Sequence, residues 1–157
     1  MLRTLLFEFP QDETSWLIED EYMFGANLLV APLFDAGKNS RKVYLPPGAW
    51  IDYQTGKVYQ GARWHEIEAG EIPVILLVKD HSVLPRVKPA QSTSEIDWNN
   101  VELRVFSTDG APVSQKFALP DGDLQTLDLT VSKNKYVLKN DFSRGKINWT
   151  ITSFPAK

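Results

Sequence analysis

Cysteine is absent from all 157 residues, which excludes disulfides, thiolate metal centres and cysteine nucleophiles. Histidine is nearly as scarce, since His65 and His81 are the only two imidazoles. Two imidazoles without an acidic ligand pattern make a poor zinc site, so neither a metal nor a cofactor is expected. Positive charge is not in excess: Lys plus Arg number 17 against 20 Asp plus Glu, giving a net charge of −3. That balance lacks the basic field that draws nucleic acid or anionic lipid, so no nucleic-acid or membrane partner is expected. Nor is any apolar run long enough to cross a bilayer. The opening stretch, Met1 to Pro10, is short, is interrupted by Glu8 and has no small-residue cleavage site, so it is not read as a secretory signal.

What is present is the vocabulary of strands and turns. Hydrophobic residues make up 43% of the chain, with 10 prolines and 9 glycines, a composition that suits a strand-rich fold with many reversals. A folded chain of this length buries about 70% of the surface its unfolded form exposes, enough for an ordinary core. Leu2 to Phe9 is mostly apolar and reads as a strand covered on both faces, the kind that belongs to a parallel sheet. Gln11-Asp12-Glu13-Thr14 reads as a helix start, and Trp16, Leu17, Tyr22, Met23 and Phe24 as the apolar positions of a short helix that Gly25 stops.

After Gly25 the pattern changes. Asn27–Phe34, Arg41–Leu45, Trp50–Tyr53, Lys57–Gly61, Trp64–Ile67, Pro73–Val78 and Ser82–Pro85 are short strand-like runs bounded by Gly, Pro, Asn or Asp. Gln54-Thr55-Gly56, with glycine last, has the chemistry of a hairpin with a bulge. The unbroken apolar run Pro73–Val78 is expected at the centre of its sheet. Lys88 to Asn100 is poor in apolar residues and reads as a loop inside a domain, since too few residues follow for a second core. Val101, Leu103 and Val105 alternate with polar residues, as do Leu127, Leu129 and Val131, and Ile147–Ile151; Asp109-Gly110 and Asp121-Gly122 are turn signals. Strands at spacings of about 8–12 residues indicate a sandwich.

Several of these runs together are recognisable. Leu5-Leu6-Phe7-Glu8-Phe9-Pro10, then an acidic stretch, then Tyr22-Met23-Phe24-Gly25-Ala26-Asn27-Leu28-Leu29-Val30-Ala31-Pro32, then Tyr44-Leu45-Pro46-Pro47-Gly48-Ala49-Trp50, resembles in order and spacing the C-terminal part of glycoside hydrolase family 31. That family contains α-glucosidases and α-xylosidases. The resemblance covers about residues 1–87. It implies a mainly β protein: an antiparallel β-sandwich over 25–157, preceded over 1–24 by a remnant strand and helix of a (β/α)8 barrel. Val101 to Phe106 is similar to the strand that completes the family's proximal sandwich. The acidic turn common after it is not matched at Leu119-Pro120-Asp121-Gly122, which implies that the family's distal domain is absent or reduced.

The chemistry of such enzymes needs two carboxyl groups about 5–5.5 Å apart, a nucleophile and an acid/base. The resemblance places both family aspartates upstream of Met1, so no catalytic residue is assigned here, and carbohydrate substrate reaches the protein only through the missing barrel. Glu8, at the end of a barrel-type strand, is the nearest acid, but a lone carboxylate cannot run a two-carboxylate mechanism. Glu19-Asp20-Glu21 reads as a solvated face. Trp50, Tyr53 and Trp64 are the candidates for sugar stacking, as in a carbohydrate-binding module; packing is the commoner use of such residues. Asn148-Trp149-Thr150 fits a glycosylation acceptor, which carries no weight without a secretory signal. An isolated chain has to cover Leu2–Phe9, and self-association is the expected outcome.

Overall fold

The computed structural model of the chain describes residues 1–118, 122, 124–140 and 146–154. The chain forms two compact units, Met1–Asp80 and His81–Lys157, each mainly β with its own buried core.

The first unit begins with β1 (Leu2–Thr4), a single helical turn α1 (Leu5–Glu8) and a 3-10 turn over Glu13–Leu17. Seven strands follow: β2 (Tyr22–Phe24), β3 (Leu28–Pro32), β4 (Ser40–Leu45), β5 (Ala49–Asp52), β6 (Val58–Gln60), β7 (Arg63–Glu68) and β8 (Val74–Lys79). Six strands make one sheet in the order β1-β2-β3-β8-β5-β6, and β4 pairs with β7 as a second layer. Every pairing in this unit is antiparallel. The two layers share one core, because Val43, Tyr44 and Leu45 of β4 and Ile67 of β7 are buried with Leu29, Ala31, Trp50, Ile75 and Leu77 of the large sheet. β8 lies between β3 and β5, the central place its unbroken apolar run predicts.

The hairpin joining β5 to β6 also follows its sequence. Asp52 is buried, its Oδ1 accepts from the backbone N–H of Gln54 and Thr55 at 2.8 and 2.7 Å, and Gly56 sits at φ 76°. That is the left-handed bulge position where glycine is unstrained.

The opening residues differ from their expectation. Leu2–Phe9 is not one strand covered on both faces: the strand ends at Thr4, the chain coils through α1, and the Phe9 N–H donates to Leu5 O at 2.8 Å. Leu5 is fully buried while Leu2 and Phe7 are 62% and 77% exposed. An apolar run without a period does not choose between strand and helix, and among the described residues its strand β1 stands at the sheet edge, paired with β2. The predicted helix is also shorter. Asp12 does cap a helical start, accepting from Thr14 N–H, but the segment is a five-residue 3-10 turn. Tyr22–Phe24 is extended and hydrogen-bonded between β1 and β3. Gly25, at φ 70°, turns β2 into β3 rather than ending a helix. Two ladders for three residues outweigh the local helical preference, which is a weak prior.

The second unit contains β9 (Ser82–Arg86), a 3-10 turn at Thr93–Glu95, β10 (Asn100–Phe106), β11 (Val113–Ala118), β12 (Leu124–Ser132), β13 (Lys135–Leu138) and β14 (Asn148–Phe154). The sheets run β14-β10-β9 and β11-β12-β13. Val83, Val101, Leu103, Val105, Val113, Phe117, Leu127 and Leu129 fill the space between them. The residues after Asn100 thus do build a second core. Alternation explains this: one face of each strand supplies the apolar set while the other stays wet. Lys88–Asn100 runs as a connection inside this unit. β14 lies parallel to β10, which requires a long crossover, and the chain reaches β14 only after crossing the β11–β13 layer. The turn expected at Asp121-Gly122, with Leu119 and Pro120, falls largely outside the described residues.

β9 is tied to the opposite layer by one side chain. Gln115 of β11 donates through Nε2 to Val83 O and accepts at Oε1 from Val83 N–H, both at 2.8 Å.

Candidate functional site

Glu8 and Asp12, near the start of the chain, are already engaged. Glu8 is paired with Arg3 at 2.8 Å. Asp12 accepts from the Tyr44 hydroxyl at 3.0 and 2.9 Å and from the Ser15 hydroxyl at 2.8 Å. Burial, and then the bond to Asp12, push the Tyr44 phenol above its ordinary range. A cleft of about 450 Å³ is lined by residues 8–14 and Pro47. Of its carboxylates, Glu8 is held by a guanidinium and Asp12 by hydroxyl donors, which leaves the exposed Glu13, and one carboxylate cannot serve as both nucleophile and acid.

The three sugar-stacking candidates end up in three different environments. Trp50 is fully buried: its Nε1–H donates to Pro46 O at 2.8 Å, and its ring meets Phe9 edge-on at 6.1 Å. No ring face is left for a pyranose. Tyr53 is half-buried just after β5, its N–H donating to Leu76 O at 2.9 Å. Trp64, on β7, is 51% exposed and tilts against Tyr44 at 5.5 Å. The structure therefore does not bring Trp50 and Trp64 onto a common exposed surface. His65 shares its Nε2 with Gln60 O at 2.7 Å and packs on Tyr59. In the other unit His81 pairs with Asp109 at 2.9 Å. Among the described residues no group of three or more His, Cys, Asp or Glu could hold a metal ion.

Glu21 is the residue that sequence reasoning missed. Glu19 and Asp20 are exposed as expected, but Glu21 is only 3% exposed. The missed signal was parity. Glu21 and Met23 share a face if Tyr22–Phe24 is extended, and Met23 is fully buried, so the period-2 reading turns Glu21 inward. Its Oε1 accepts from Tyr44 N–H at 2.8 Å, and Arg41 Nη2 lies 3.8 Å from that oxygen. Its Oε2 is buried without a hydrogen-bond partner. Burial pushes the carboxyl up to about 7, against the opposing pull of the Tyr44 N–H and Arg41.

The first unit is thus a two-layer antiparallel β domain built around one shared core. The model for the glycosyl hydrolase family 31 C-terminal domain matches residues 1–84, and the chain belongs to that family. It is 32% identical over 126 residues to alpha-glucosidase 2 of Bacillus thermoamyloliquefaciens, covering 80% of this chain and 16% of that protein. It is 32% identical over 120 residues to the alpha-xylosidase XylQ of Lactiplantibacillus pentosus, covering 74% of this chain and 16% of that protein. The GH31 dextranase of Flavobacterium johnsoniae, solved in complex with glucose, superposes with a TM-score of 0.74 at 26% identity over 86% of this chain and 18% of that one. The chain thus spans about a sixth of these relatives' length, in their C-terminal domain.

Proposed function

We propose that the chain acts as the C-terminal brace of a retaining α-glycosidase, an enzyme that cleaves terminal α-glucosidic or α-xylosidic bonds with carboxylates on a preceding barrel. Residues 1–24 carry the chain out of that barrel, and the strands that follow, in the two units Met1–Asp80 and His81–Lys157, do the bracing. The observation that carries this reading is the exposed apolar surface gathered at the start of the chain. Leu2, Phe7, Trp16, Leu17 and Phe24 are all exposed within the segment matched by the family model, and large exposed apolar residues grouped this way mark a surface meant for a partner. The rival reading, a carbohydrate-binding module, keeps the half-exposed Trp64 and the half-buried Tyr53 but loses Trp50, which is buried.

The test is the intact mass of the native polypeptide in its source cell, together with turnover by the purified chain. The reading expects a mass several times 17.8 kDa and no turnover of aryl α-glucosides or α-xylosides by the 157 residues alone. A native mass near 17.8 kDa, or turnover by the chain, overturns it.

The same surface sets the behaviour of the chain in isolation. Lacking a barrel to cover it, the chain self-associates through Leu2–Phe9 at micromolar concentration, and Phe7→Glu shifts it toward monomer in sedimentation velocity. A wild-type chain that stays monomeric rejects this.

A further inference from the structure

The buried carboxyl of Glu21 has no part in bracing a barrel, and its setting is specific. It stands at the entry to β2, in the large sheet, and accepts from the backbone of Tyr44 on β4, in the second layer. One carboxyl group therefore spans the two layers of the first unit. Its second oxygen is enclosed and unpartnered. The charged groups facing it are Arg41 from β4 and Asp20 from its own segment; the Tyr44 hydroxyl is turned to Asp12. Arg41 does not neutralise Glu21 fully, because its guanidinium is committed elsewhere. It pairs with the Asp20 carboxylate and donates to Asp20 O at 3.1 Å, Pro32 O at 2.9 Å and Lys42 O at 3.1 Å. An ionised carboxylate at this place is under-compensated, and burying such a charge is costly.

We propose that Glu21 is a proton-dependent pin between the two layers of residues 1–80: protonated, it stays sealed between β2 and β4, and ionised, it draws its segment away from β4 toward water. Burial lifts the group to about 7, whereas in the unfolded chain it titrates in the ordinary carboxylate range near ~4.3. Between those two pH values the folded chain holds more protons than the unfolded one, so stability falls as pH rises through the window. The contribution is fully present below the unfolded value and gone above the folded one. This sign is opposite to that of the hydrogen-bonded carboxylates Asp97, Glu102 and Asp109, which are held below their ordinary range.

The experiment is urea denaturation of the full 157-residue chain and of Glu21→Gln at pH 5 and pH 8, following exchange protection of the first unit's amides. The wild-type folding equilibrium constant is expected to drop roughly 50-fold more than that of the glutamine variant between the two pH values. The Tyr44 amide should lose protection first. Equal pH dependence in both proteins overturns the proposal. If the variant does not fold, a carbon-13 titration of the Glu21 carboxyl in the wild-type chain decides. A midpoint near neutrality supports the pin, and one in the ordinary carboxylate range rejects it.

Discussion

Trp50→Ala is expected to lower the stability of residues 1–80 by about 3–5 kcal/mol, the usual range for truncating a large buried aromatic. Trp50 lies on β5, between β8 and β6, and is among the largest fully buried side chains of the chain. Three losses combine. The indole leaves a void among Leu29, Leu45, Ile75 and Leu77, which belong to the same core. The edge-on contact with Phe9 disappears, and such pairs contribute about 0.5–1.5 kcal/mol beyond area burial. The buried Pro46 carbonyl loses the indole N–H as donor, and an orphaned buried acceptor costs about 1–3 kcal/mol. Trp50→Phe keeps a ring but not the N–H and should fall between alanine and wild type. Denaturation followed by far-ultraviolet circular dichroism measures both. A loss below ~1 kcal/mol for the alanine variant would show that the core is organised around something other than this indole.

The second large effect is Gly61→Ala, and it converges on the same carbonyl. A Cβ at position 61 stands 1.9 Å from Pro46 O and 2.8 Å from Gly48 O, while the Gly61 N–H donates to Gly48 O at 2.7 Å. Both obstructing atoms are backbone, so no side chain can swing aside. The chain after β6 has to move away from the Pro46–Gly48 turn, at a cost of about 1–3 kcal/mol or more. Because Trp50 and Gly61 both depend on where the Pro46 carbonyl points, the double variant should be less destabilised than the sum of the singles. Neighbours sharing a partner couple in this way. Strict additivity in a denaturation cycle would argue that the turn is rigid and that the two residues act apart.

How far the sequence disclosed this fold depended on whether a segment carried a period. Val101, Leu103 and Val105 alternate, and all three are buried on β10 as written. The hairpin at Gln54-Thr55-Gly56 was equally plain, because glycine in the last position has one common use. Leu2–Phe9 carried no period, and its conformation went with the place of β1 at the sheet edge, which no local pattern announces. Tyr22–Phe24 looked helical because aromatic and apolar residues sit together there; pairing with partners on both sides, one of them at the very start of the chain, made it extended. That misreading also hid Glu21, whose inward direction follows only from strand parity. β11 went unmarked because an inward-facing glutamine, Gln115, interrupts the apolar pair Val113 and Phe117. At the family level the order of motifs from Leu5 to Trp50 was sufficient. The sorting of the aromatic residues into buried Trp50 and half-exposed Trp64 was not readable, since both lie on strands of mixed polarity.

Gln115 has one more consequence. β9 is the last strand of its sheet, and a terminal strand with free backbone groups is a template on which another chain can grow. The amide of Gln115 occupies both the N–H and the C=O of Val83, as a neighbouring strand would, and Pro85 two residues on has no N–H to offer. Together they blunt the growing edge, so that fibril-like templating along β9 is discouraged in the native fold. The apparent flaw in the β11 pattern is therefore a safeguard against runaway assembly, supplied by a residue on the opposite layer.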